Sequence, residues 1–300
     1  MVKIVEVGPR DGLQNEKMIL PTEDKFNFIS LLADAGLKTI EVTSFVKAPA
    51  IPQMSDAPAL FEKVKGSLMQ KGISFPCLVP NLKGYEAAKA SGVKEIALFS
   101  ATSNSFTKKN INASVDESFE RMKDVAVQAK QDGIKIRGYI STAFGCPYEG
   151  LMSENDLILV AKRFLELGVY EISIGDTIGI AVPSQVKKYL KALKAELPLD
   201  NLAMHLHDTR GMALANILVS LDEGIRIFDS SAGGIGGCPY AKGATGNVAT
   251  EDVWYLLESQ GLKTGIDLAK LAKASSFMLS KINRETESKF LKAYLTTGKV

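Results

Sequence analysis

One phrase recurs five times along this 300-residue chain and limits what the chain can fold into. In each copy a segment with helical spacing ends at a glycine, and a valine, isoleucine or leucine then begins a short apolar run. The copies read DAGLKTIEV, ASGVKEIAL, QDGIKIRGY, ELGVYEISI and DEGIRIFDS. Glycine ends helices because it adopts the left-handed conformation without a steric penalty. A repeated helix, glycine and strand is the signature of consecutive βα units.

The rest of the chain continues this alternation. Short β-branched or apolar runs predict eight strands, and the stretches with helical spacing between them predict seven amphipathic helices. The predicted strands are 3–7, 39–43, 74–79, 95–100, 135–141, 170–174, 201–207 and 226–230. The predicted helices are 22–35, 57–70, 81–91, 114–132, 153–167, 182–196 and 211–223. Two more helices are expected at 250–260 and 267–283, before a polar tail from Glu285 that should be mobile at its end.

Eight βα units predict a (β/α)8 TIM barrel with additional C-terminal helices. The alternative, an open doubly wound sheet, has a glycine-rich phosphate loop after its first strand, but GPRDGLQ stands at that place here. No stretch rich in Pro, Gly and Ser separates two domains. We therefore expect one catalytic domain over 1–300, with the barrel at about 1–260 and a helical extension at about 261–300.

Composition and charge narrow the classes of partner. Lys and Arg number 36 and Asp and Glu number 34, with no long block of one sign, so neither a nucleic acid nor an anionic membrane is an expected partner. No run reaches the ~18 apolar residues that span a bilayer, and the N-terminus has no signal-peptide pattern. Three widely spaced cysteines, Cys77, Cys146 and Cys238, suit reduced thiols. These features predict a cytoplasmic protein that binds a small molecule.

The only two histidines stand one residue apart, as His205 and His207, at the end of the seventh predicted strand. Residues i and i+2 of a strand face the same side with Cα atoms about 6.6 Å apart, so both imidazoles could bind one cation. Two hydrogen-bonded polar histidines are the simpler alternative. Polar side chains also follow the other predicted strands, where a barrel has its active site, and this favours a metal site.

Two further residues would complete a set of metal ligands. Asp11 follows the first strand, which is next to the eighth in a closed barrel, and Asn247 follows the eighth strand. Two imidazoles with a carboxylate and an amide oxygen suit six-coordinate Mg²⁺ or Mn²⁺ better than structural zinc, which usually binds cysteine. Each residue has an ordinary alternative, Asp11 as a turn residue before Gly12 and Asn247 as a loop amide.

Arg10 and Cys238 are candidates for chemistry beside the metal. Arg10 should be held by a carboxylate such as Glu41 or Asp176, and a guanidinium there would bind a planar oxyanion. A structural ion pair is the alternative. Cys238 lies in GGIGGCPYAKG, whose glycines permit a sharp bend and the approach of a substrate to the thiol. The alternative is an inert loop cysteine.

Over nearly its whole length the chain resembles the 3-hydroxy-3-methylglutaryl-CoA lyase family, within the metal-dependent TIM-barrel superfamily that includes isopropylmalate, citramalate and homocitrate synthases. The matching motifs are EVGPRDGLQNE (6–16), IEVTSFV (40–46), QMSD (53–56), FTKKNIN (106–112), GCPYEG (145–150), ISIGDTIG (172–179), HLHDTRGMALAN (205–216) and GGIGGCPYAKGATGNVATE (233–251). The glycine-rich loop with its cysteine discriminates best, because the related synthases do not have it in this form.

The resemblance implies a homodimer that cleaves 3-hydroxy-3-methylglutaryl-CoA to acetyl-CoA and acetoacetate, as in leucine degradation or ketone-body formation. It implies that the metal ligands are Asp11, His205, His207 and Asn247. It implies catalytic roles for Arg10 and Cys238, while His205, Asp11 or a metal-bound water could accept the hydroxyl proton. The expected substrate contacts are Arg10, Gln14, Glu41, Ser44, Ser173, Asp176 and Thr177. Lys108 and Lys109 are candidates for contacts with the CoA phosphates, with a solvated pair as the alternative.

Other functions remain as alternatives. A synthase of the same superfamily would condense acetyl-CoA with a 2-keto acid, but those enzymes usually have a further C-terminal domain. A lyase acting on a close 3-hydroxyacyl-CoA analogue would use the same residues. Some barrel hydrolases also have a His-x-His pair, but it follows their first strand. A non-catalytic barrel would not need Asp11 and Cys238.

Overall fold

The computed structural model describes residues 2–47, 50–237 and 246–298, and a parallel sheet lies at its centre. The strands are β1 (Lys3–Glu6), β2 (Thr39–Ile40), β3 (Thr43–Ser44), β4 (Cys77–Leu78), β5 (Glu95–Ala101), β6 (Lys135–Ser141), β7 (Gly145–Cys146), β8 (Gly150–Leu151), β9 (Glu171–Asp176), β10 (Leu202–Leu206) and β11 (Ile227–Ser230). Only β7 and β8 lie outside the central sheet among these strands, and they pair with each other as an antiparallel hairpin.

The sheet closes on itself at β2 and β3, which are two parts of one extended stretch. Its strand order is β2-β1-β11-β10-β9-β6-β5-β4-β3, so the first and last strands of the order are consecutive in the chain. Between them, the Glu41 N–H donates to Glu6 O on the β1 side at 2.8 Å, whereas the Val42 N–H donates to Pro76 O on the β4 side at 3.0 Å. The predicted strand 39–43 is therefore split where it alternates between two neighbours. The TIM barrel is confirmed.

Helices follow the strands around the outside of the barrel. They are α1 (Thr22–Asp34), α2 (Ala57–Ser67), α3 (Leu82–Ser91), α4 (Asn104–Ile111), α5 (Val115–Gln131), α6 (Glu154–Glu166), α7 (Pro183–Lys194), α8 (Ala213–Asp222), α9 (Thr250–Ser259), α10 (Leu268–Ile282) and α11 (Lys289–Thr297). At the start of α5, Ser114 Oγ accepts from the Glu117 N–H at 3.1 Å and Glu117 Oε2 accepts from the Ser114 N–H at 2.6 Å. Among the described helices, none is both long and apolar enough to cross a membrane.

Two helices lie where the sequence did not predict them. α4 occupies the FTKKNIN segment, where Ser103 Oγ accepts from the Phe106 N–H at 3.0 Å. α11 lies inside the helical extension expected at about 261–300, in the polar tail for which no separate helix was predicted, and mobility at the end of the tail stays a prediction. Ser288 Oγ caps this helix at the Leu291 N–H, and Leu291 is fully buried. The α4 segment is short and contains few apolar residues, so no helical period stands out in it.

The C-terminal helices pack onto the barrel. Lys281 of α10 pairs with Asp24 of α1 at 3.0 Å, and the Asp267 N–H donates to Ala35 O at 2.8 Å. At the end of α1, Gly36 has a φ of +102°, and a Cβ there would lie 2.5 Å from the oxygen of Gly265. The close packing of these two segments thus requires glycine. A boundary between barrel and extension near residue 260 stays a prediction.

Candidate metal centre and active site

Four polar side chains meet at the carboxyl-terminal mouth of the barrel. Asp11 lies in the helical turn Gly8–Gly12 that follows β1, His205 lies in β10, and His207 comes directly after that strand. Asn247 pairs with His207 through an isolated antiparallel bridge. β1 pairs with β11, and β11 pairs with β10. Because these strands are neighbours in a parallel barrel, residues distant in sequence end at one rim.

The side-chain atoms of these residues converge. His205 Nε2 lies 3.3 Å from His207 Nε2 and 3.8 Å from Asp11 Oδ2. One potential ligand atom from each of the three residues lies within 4.8 Å of the other two. Asn247 Nδ2 donates to Asp11 Oδ2 at 2.8 Å. The structure therefore brings together the four residues that were predicted as metal ligands.

The two histidines differ in how readily they bind a proton. Burial and the neighbouring His205 lower the pKa of His207 to about 4, so this ring is neutral at physiological pH. Burial disfavours charge on His205 as well, but Asp229, to which its Nδ1–H donates at 3.3 Å, and Asp11 raise the pKa of His205. In the described part of the chain, His207 Nδ1 is buried without a hydrogen-bond partner. Two imidazoles beside a carboxylate form a donor set that suits such a cation.

Arg10 is fixed beside this centre by two carboxylates. Its Nε donates to Glu41 Oε2 and its Nη1 to Asp11 Oδ1, both at 2.7 Å. Its guanidinium also lies 5.3 Å from the centre of the Tyr139 ring. Burial opposes the charge, but Glu41 and Asp11 outweigh it and raise the pKa of Arg10. A guanidinium has five N–H donors, so the side chain retains N–H groups for an oxyanion.

Asp176, the other carboxylate considered for Arg10, binds the backbone instead. Its Oδ1 accepts from the Ile180 N–H at 2.9 Å and its Oδ2 from the Ala181 N–H at 3.0 Å. Both oxygens therefore shape the loop after β9. Of the two carboxylates considered for Arg10 in the sequence, Glu41 is the one that contacts it. A substrate contact from Asp176 stays a prediction.

Gln14 and Ser44, two of the predicted substrate contacts, differ in how they are held. Gln14 Nε2 donates to Asp11 Oδ1 at 2.8 Å, so Gln14 lies at the metal centre. Ser44 is fully buried at the end of β3, and its Oγ has no hydrogen-bond partner among the described residues. An unpartnered hydroxyl at this end of the barrel is consistent with a ligand contact.

Ser173 and Thr177 have partners within the protein. Ser173 Oγ donates to Asp229 Oδ2 at 2.7 Å. Thr177 Oγ1 accepts from the Thr142 N–H at 2.8 Å, which leaves the Thr177 hydroxyl hydrogen available to donate. Thr142 itself has a φ of +56°, in the left-handed region that a β-branched residue rarely adopts. Their roles as substrate contacts stay predictions.

The sequence did not assign the charged residues beneath the metal centre to the site. Arg137 and Tyr139 lie in β6, Glu171 begins β9, and Asp229 lies in β11, all of them buried. The signal that could have found Arg137 is its position inside the strand KIRGYIS, where an inward-facing charge must have a buried partner.

Cys238 lies outside the described residues, but the chain is described on both sides of it. A Cβ on Gly246 would lie 2.6 Å from the carbonyl carbon of Gly236, so the backbones on the two sides are in contact. Arg284 Nη1 donates to Gly236 O at 3.1 Å and to Glu16 Oε1 at 2.6 Å. These bonds fix the flank of the segment 238–245 beside the first βα loop.

A buried glutamate supports the same flank. Glu6 Oε1 accepts from the Gly8 N–H at 2.8 Å and from the Ala232 N–H at 3.0 Å, and Glu6 Oε2 accepts from the Thr250 hydroxyl at 2.7 Å. Burial nevertheless raises the pKa of Glu6 to about 7, from an ordinary value of 4.5. The folded protein therefore retains a proton here that the unfolded chain releases at lower pH.

We expect the metal-free protein to lose stability as the pH rises from about 4.5 to about 7, because over this range the folded state binds more protons than the unfolded state. The contribution of Glu6 is up to about 3 kcal/mol. Glu6→Gln retains an oxygen acceptor and gains an amide that can donate to Thr250. It should make the loss of stability smaller by the contribution of Glu6. Glu251, whose pKa burial also raises to about 7, retains its own contribution, and His207, whose pKa is lowered to about 4, opposes both. Urea unfolding at several pH values in this range measures how the free energy of unfolding changes with pH. The same change in Glu6→Gln as in the wild type would contradict the expectation.

The fold and the site define a class of protein: a TIM-barrel enzyme with a candidate metal centre at its carboxyl-terminal mouth. Residues 1–278 match the model of the HMGL-like family. The chain belongs to the HMGL-like family.

Known relatives agree with this assignment over almost their whole length. The human protein named hydroxymethylglutaryl-CoA lyase, mitochondrial, is 52% identical over 292 residues, which cover 97% of this chain and 89% of that protein. The hydroxymethylglutaryl-CoA lyase structure from Pseudomonas aeruginosa is 46% identical with a TM-score of 0.95, covering 98% of this chain and 97% of that one. An HMG-CoA lyase from Acinetobacter baumannii, solved with coenzyme A and 3-methylmalate, is 35% identical with a TM-score of 0.93. The match covers 100% of this chain and 97% of that one.

Proposed function

We propose that the protein is a lyase that uses a divalent metal to cleave 3-hydroxy-3-methylglutaryl-CoA to acetyl-CoA and acetoacetate. The observation that carries the proposal is the convergence of Asp11, His205 and His207, with Arg10 bound to Asp11 at 2.7 Å. The human and Pseudomonas aeruginosa relatives are both named hydroxymethylglutaryl-CoA lyase, which is the name of this activity. A metal centre and a fixed guanidinium at one mouth match its chemical requirements.

The metal is proposed to be Mg²⁺ or Mn²⁺, held by Asp11, His205, His207 and Asn247. Cysteine ligands, which structural zinc usually requires, are absent from the described residues around the centre. Two imidazoles with oxygen donors leave room for substrate oxygens in a six-coordinate site. When bound, such a cation supplies Lewis acidity to the substrate hydroxyl and carboxylate oxygens.

The cleavage breaks the bond between C2 and C3 of the substrate. The C3 hydroxyl loses its proton and becomes the ketone of acetoacetate, while the electron pair of the broken bond goes to the acetyl-CoA enolate. Arg10 is placed to donate to the thioester oxygen as it gains negative charge, because Glu41 and Asp11 hold the guanidinium in one orientation. Asp11 is the proposed acceptor of the hydroxyl proton, because a carboxylate can bind a cation through one oxygen and retain the other, whereas His205 would use Nε2 as its ligand atom.

The new carbanion must receive a proton, and Cys238 is the proposed donor. Cys238 lies in the glycine-rich motif, and its thiol can act as a general acid. The described flanks support this role, because Asn247 lies two residues after the segment 238–245 and contacts Asp11 at 2.8 Å.

The coenzyme A part of the substrate is proposed to lie beside the ends of β3, β4 and β5. A cavity of about 240 Å³ opens there and is lined by Lys47, Asn81, Phe99 and Arg121. Its apolar wall suits the pantetheine arm, and its basic residues suit phosphate. Lys109 has its Nζ 3.8 Å from the centre of the Tyr148 ring, so it is held near the barrel mouth as well. A cytoplasmic location and a homodimer stay predictions.

A panel of thioesters tests this proposal. With Mg²⁺ or Mn²⁺, the purified protein should release acetoacetate from 3-hydroxy-3-methylglutaryl-CoA faster than it cleaves close 3-hydroxyacyl-CoA analogues. A parallel reaction with acetyl-CoA and 2-keto acids tests the related synthase activity and should give no condensation. No acetoacetate at saturating metal would overturn the proposal, and faster cleavage of an analogue would change the substrate.

A further inference from the structure

A chain of buried charges runs inside the barrel from its amino-terminal end to the metal centre. Lys3 Nζ donates to Glu171 Oε2 at 2.8 Å, and Arg137 Nε donates to Glu171 Oε1 at 2.6 Å. The Arg137 guanidinium then binds both oxygens of Asp229, Nη2 to Oδ1 at 2.6 Å and Nη1 to Oδ2 at 3.2 Å. Arg137 and Asp229 have fully buried side chains. A two-point contact of this kind fixes the plane of the carboxylate.

The fixed carboxylate meets the first histidine of the pair. Asp229 Oδ2 accepts from the Nδ1–H of His205 at 3.3 Å and from Ser173 Oγ at 2.7 Å. With Nδ1 as the donor, the neutral ring has its lone pair on Nε2, and this atom faces His207 Nε2 at 3.3 Å and Asp11 Oδ2 at 3.8 Å. The ring atom that must bind a metal is therefore chosen by the partner of the other ring atom.

We propose that Asp229, held by Arg137 and Ser173, is a positioning residue that selects the Nδ1–H tautomer of His205 and directs Nε2 to the metal. The inference deepens the proposed function, on whose metal centre it rests. It also gives Ser173 a specific task. The Ser173 hydroxyl donates to the same oxygen that binds His205, and so helps to hold that oxygen in place.

A buried ion pair can also be purely structural, because removing one partner leaves an unpaired charge in the core. Glu171 provides the matched control. It is as buried as Asp229, binds the same Arg137 at the same 2.6 Å, and has no contact with His205 among the described residues. Glu171→Gln and Asp229→Asn each remove one carboxylate charge from the Arg137 guanidinium. Only Asp229→Asn changes the partner of the histidine.

The test is the affinity of the purified protein for Mn²⁺, measured together with thermal unfolding. Asp229→Asn should weaken Mn²⁺ binding about 10- to 100-fold, the range found for partners of metal-binding histidines. The Mn²⁺ affinity of Glu171→Gln should stay within about twofold of that of the wild type, even if its unfolding temperature falls as much as that of Asp229→Asn. Ser173→Ala should give a smaller loss than Asp229→Asn, because His205 retains its acceptor.

A second measurement reads the tautomer directly. The ¹⁵N signals of His205 in metal-free protein, at a pH where the ring is neutral, should show Nδ1–H in the wild type, in Glu171→Gln and in Ser173→Ala, all of which retain the Asp229 carboxylate, and a shift towards Nε2–H in Asp229→Asn. Equal losses of Mn²⁺ affinity in Asp229→Asn and Glu171→Gln, or an unchanged tautomer in Asp229→Asn, would overturn the inference. If Asp229→Asn does not fold, Ser173→Ala decides by its Mn²⁺ affinity, and an affinity no lower than that of Glu171→Gln would overturn the inference. A wild type that binds no Mn²⁺ would contradict the proposed function instead, and the tautomer would still decide the role of Asp229.

Discussion

Asp11→Asn should reduce Mn²⁺ affinity more than about 100-fold, beyond the loss expected for a residue that only supports a ligand. The substitution retains the shape of the side chain but removes the one negative charge that faces both histidines, with Oδ2 lying 3.8 Å from His205 Nε2. It also removes the carboxylate that binds Arg10 at 2.7 Å. Cleavage should therefore fall even at saturating metal, because the guanidinium loses one of its two supports.

Asp208→Asn is the matched control for this experiment. Asp208 lies one residue after His207, but its Oδ1 accepts from the Ala213 N–H at 2.9 Å and supports the start of α8. An asparagine can make the same bond, so metal affinity should stay within about twofold of the wild type. Calorimetric titration of both variants with Mn²⁺ gives the comparison. Equal affinity in Asp11→Asn and the wild type would remove Asp11 from the metal centre.

Cys238→Ser should reduce the rate of acetoacetate release about 100- to 10,000-fold, the range for losing a positioned general acid. A hydroxyl is a far weaker acid than a thiol, so it cannot protonate the carbanion at a useful rate. Mn²⁺ affinity should be unchanged, because Cys238 is not among the proposed ligands. Initial rates and metal titrations on the same preparation separate the two effects.

Cys146→Ser is the control for the cysteine replacement. Cys146 is buried in β7, with its Sγ 3.0 Å from Ser103 Oγ, a contact that a serine hydroxyl can replace. We expect its cleavage rate to stay close to that of the wild type. A near-wild-type rate in Cys238→Ser would exclude the thiol as the proton donor, and lost metal binding would instead indicate a structural effect.

The barrel could be predicted because five βα units repeat the same local pattern, in which a helix ends at a glycine and a short apolar strand follows. The metal centre could be predicted in part because two histidines on one strand and polar residues after other strands all lie at one end of a parallel barrel. Residues such as Asp11 and Asn247 are separated by most of the sequence, but the pairing of β1 with β11 brings them to the same rim.

Choices between neighbours could not be made from the sequence. Glu41 and Asp176 both lie at strand ends, and only the inclination of each strand and the path of the following loop decide that Glu41 contacts Arg10. The same applies to Arg137 and Asp229, whose contact depends on which side chains share a layer inside the barrel. Helix α11 was missed because its stability comes from contacts with the rest of the protein, such as the ring of Phe290 stacked on Tyr255 at 4.7 Å.

The short stretch that closes the barrel, between β2 and β3, also contains the carboxylate that holds Arg10. Glu41 uses its N–H to join the sheet on the β1 side and its Oε2 to bind the guanidinium. A fluctuation that opens the barrel at this point would thus release Arg10 at the same time. Closure of the fold and the placement of Arg10 should therefore be coupled, and we expect a partly opened molecule to lose activity before it is unfolded. Amide exchange at Glu41 would report on both.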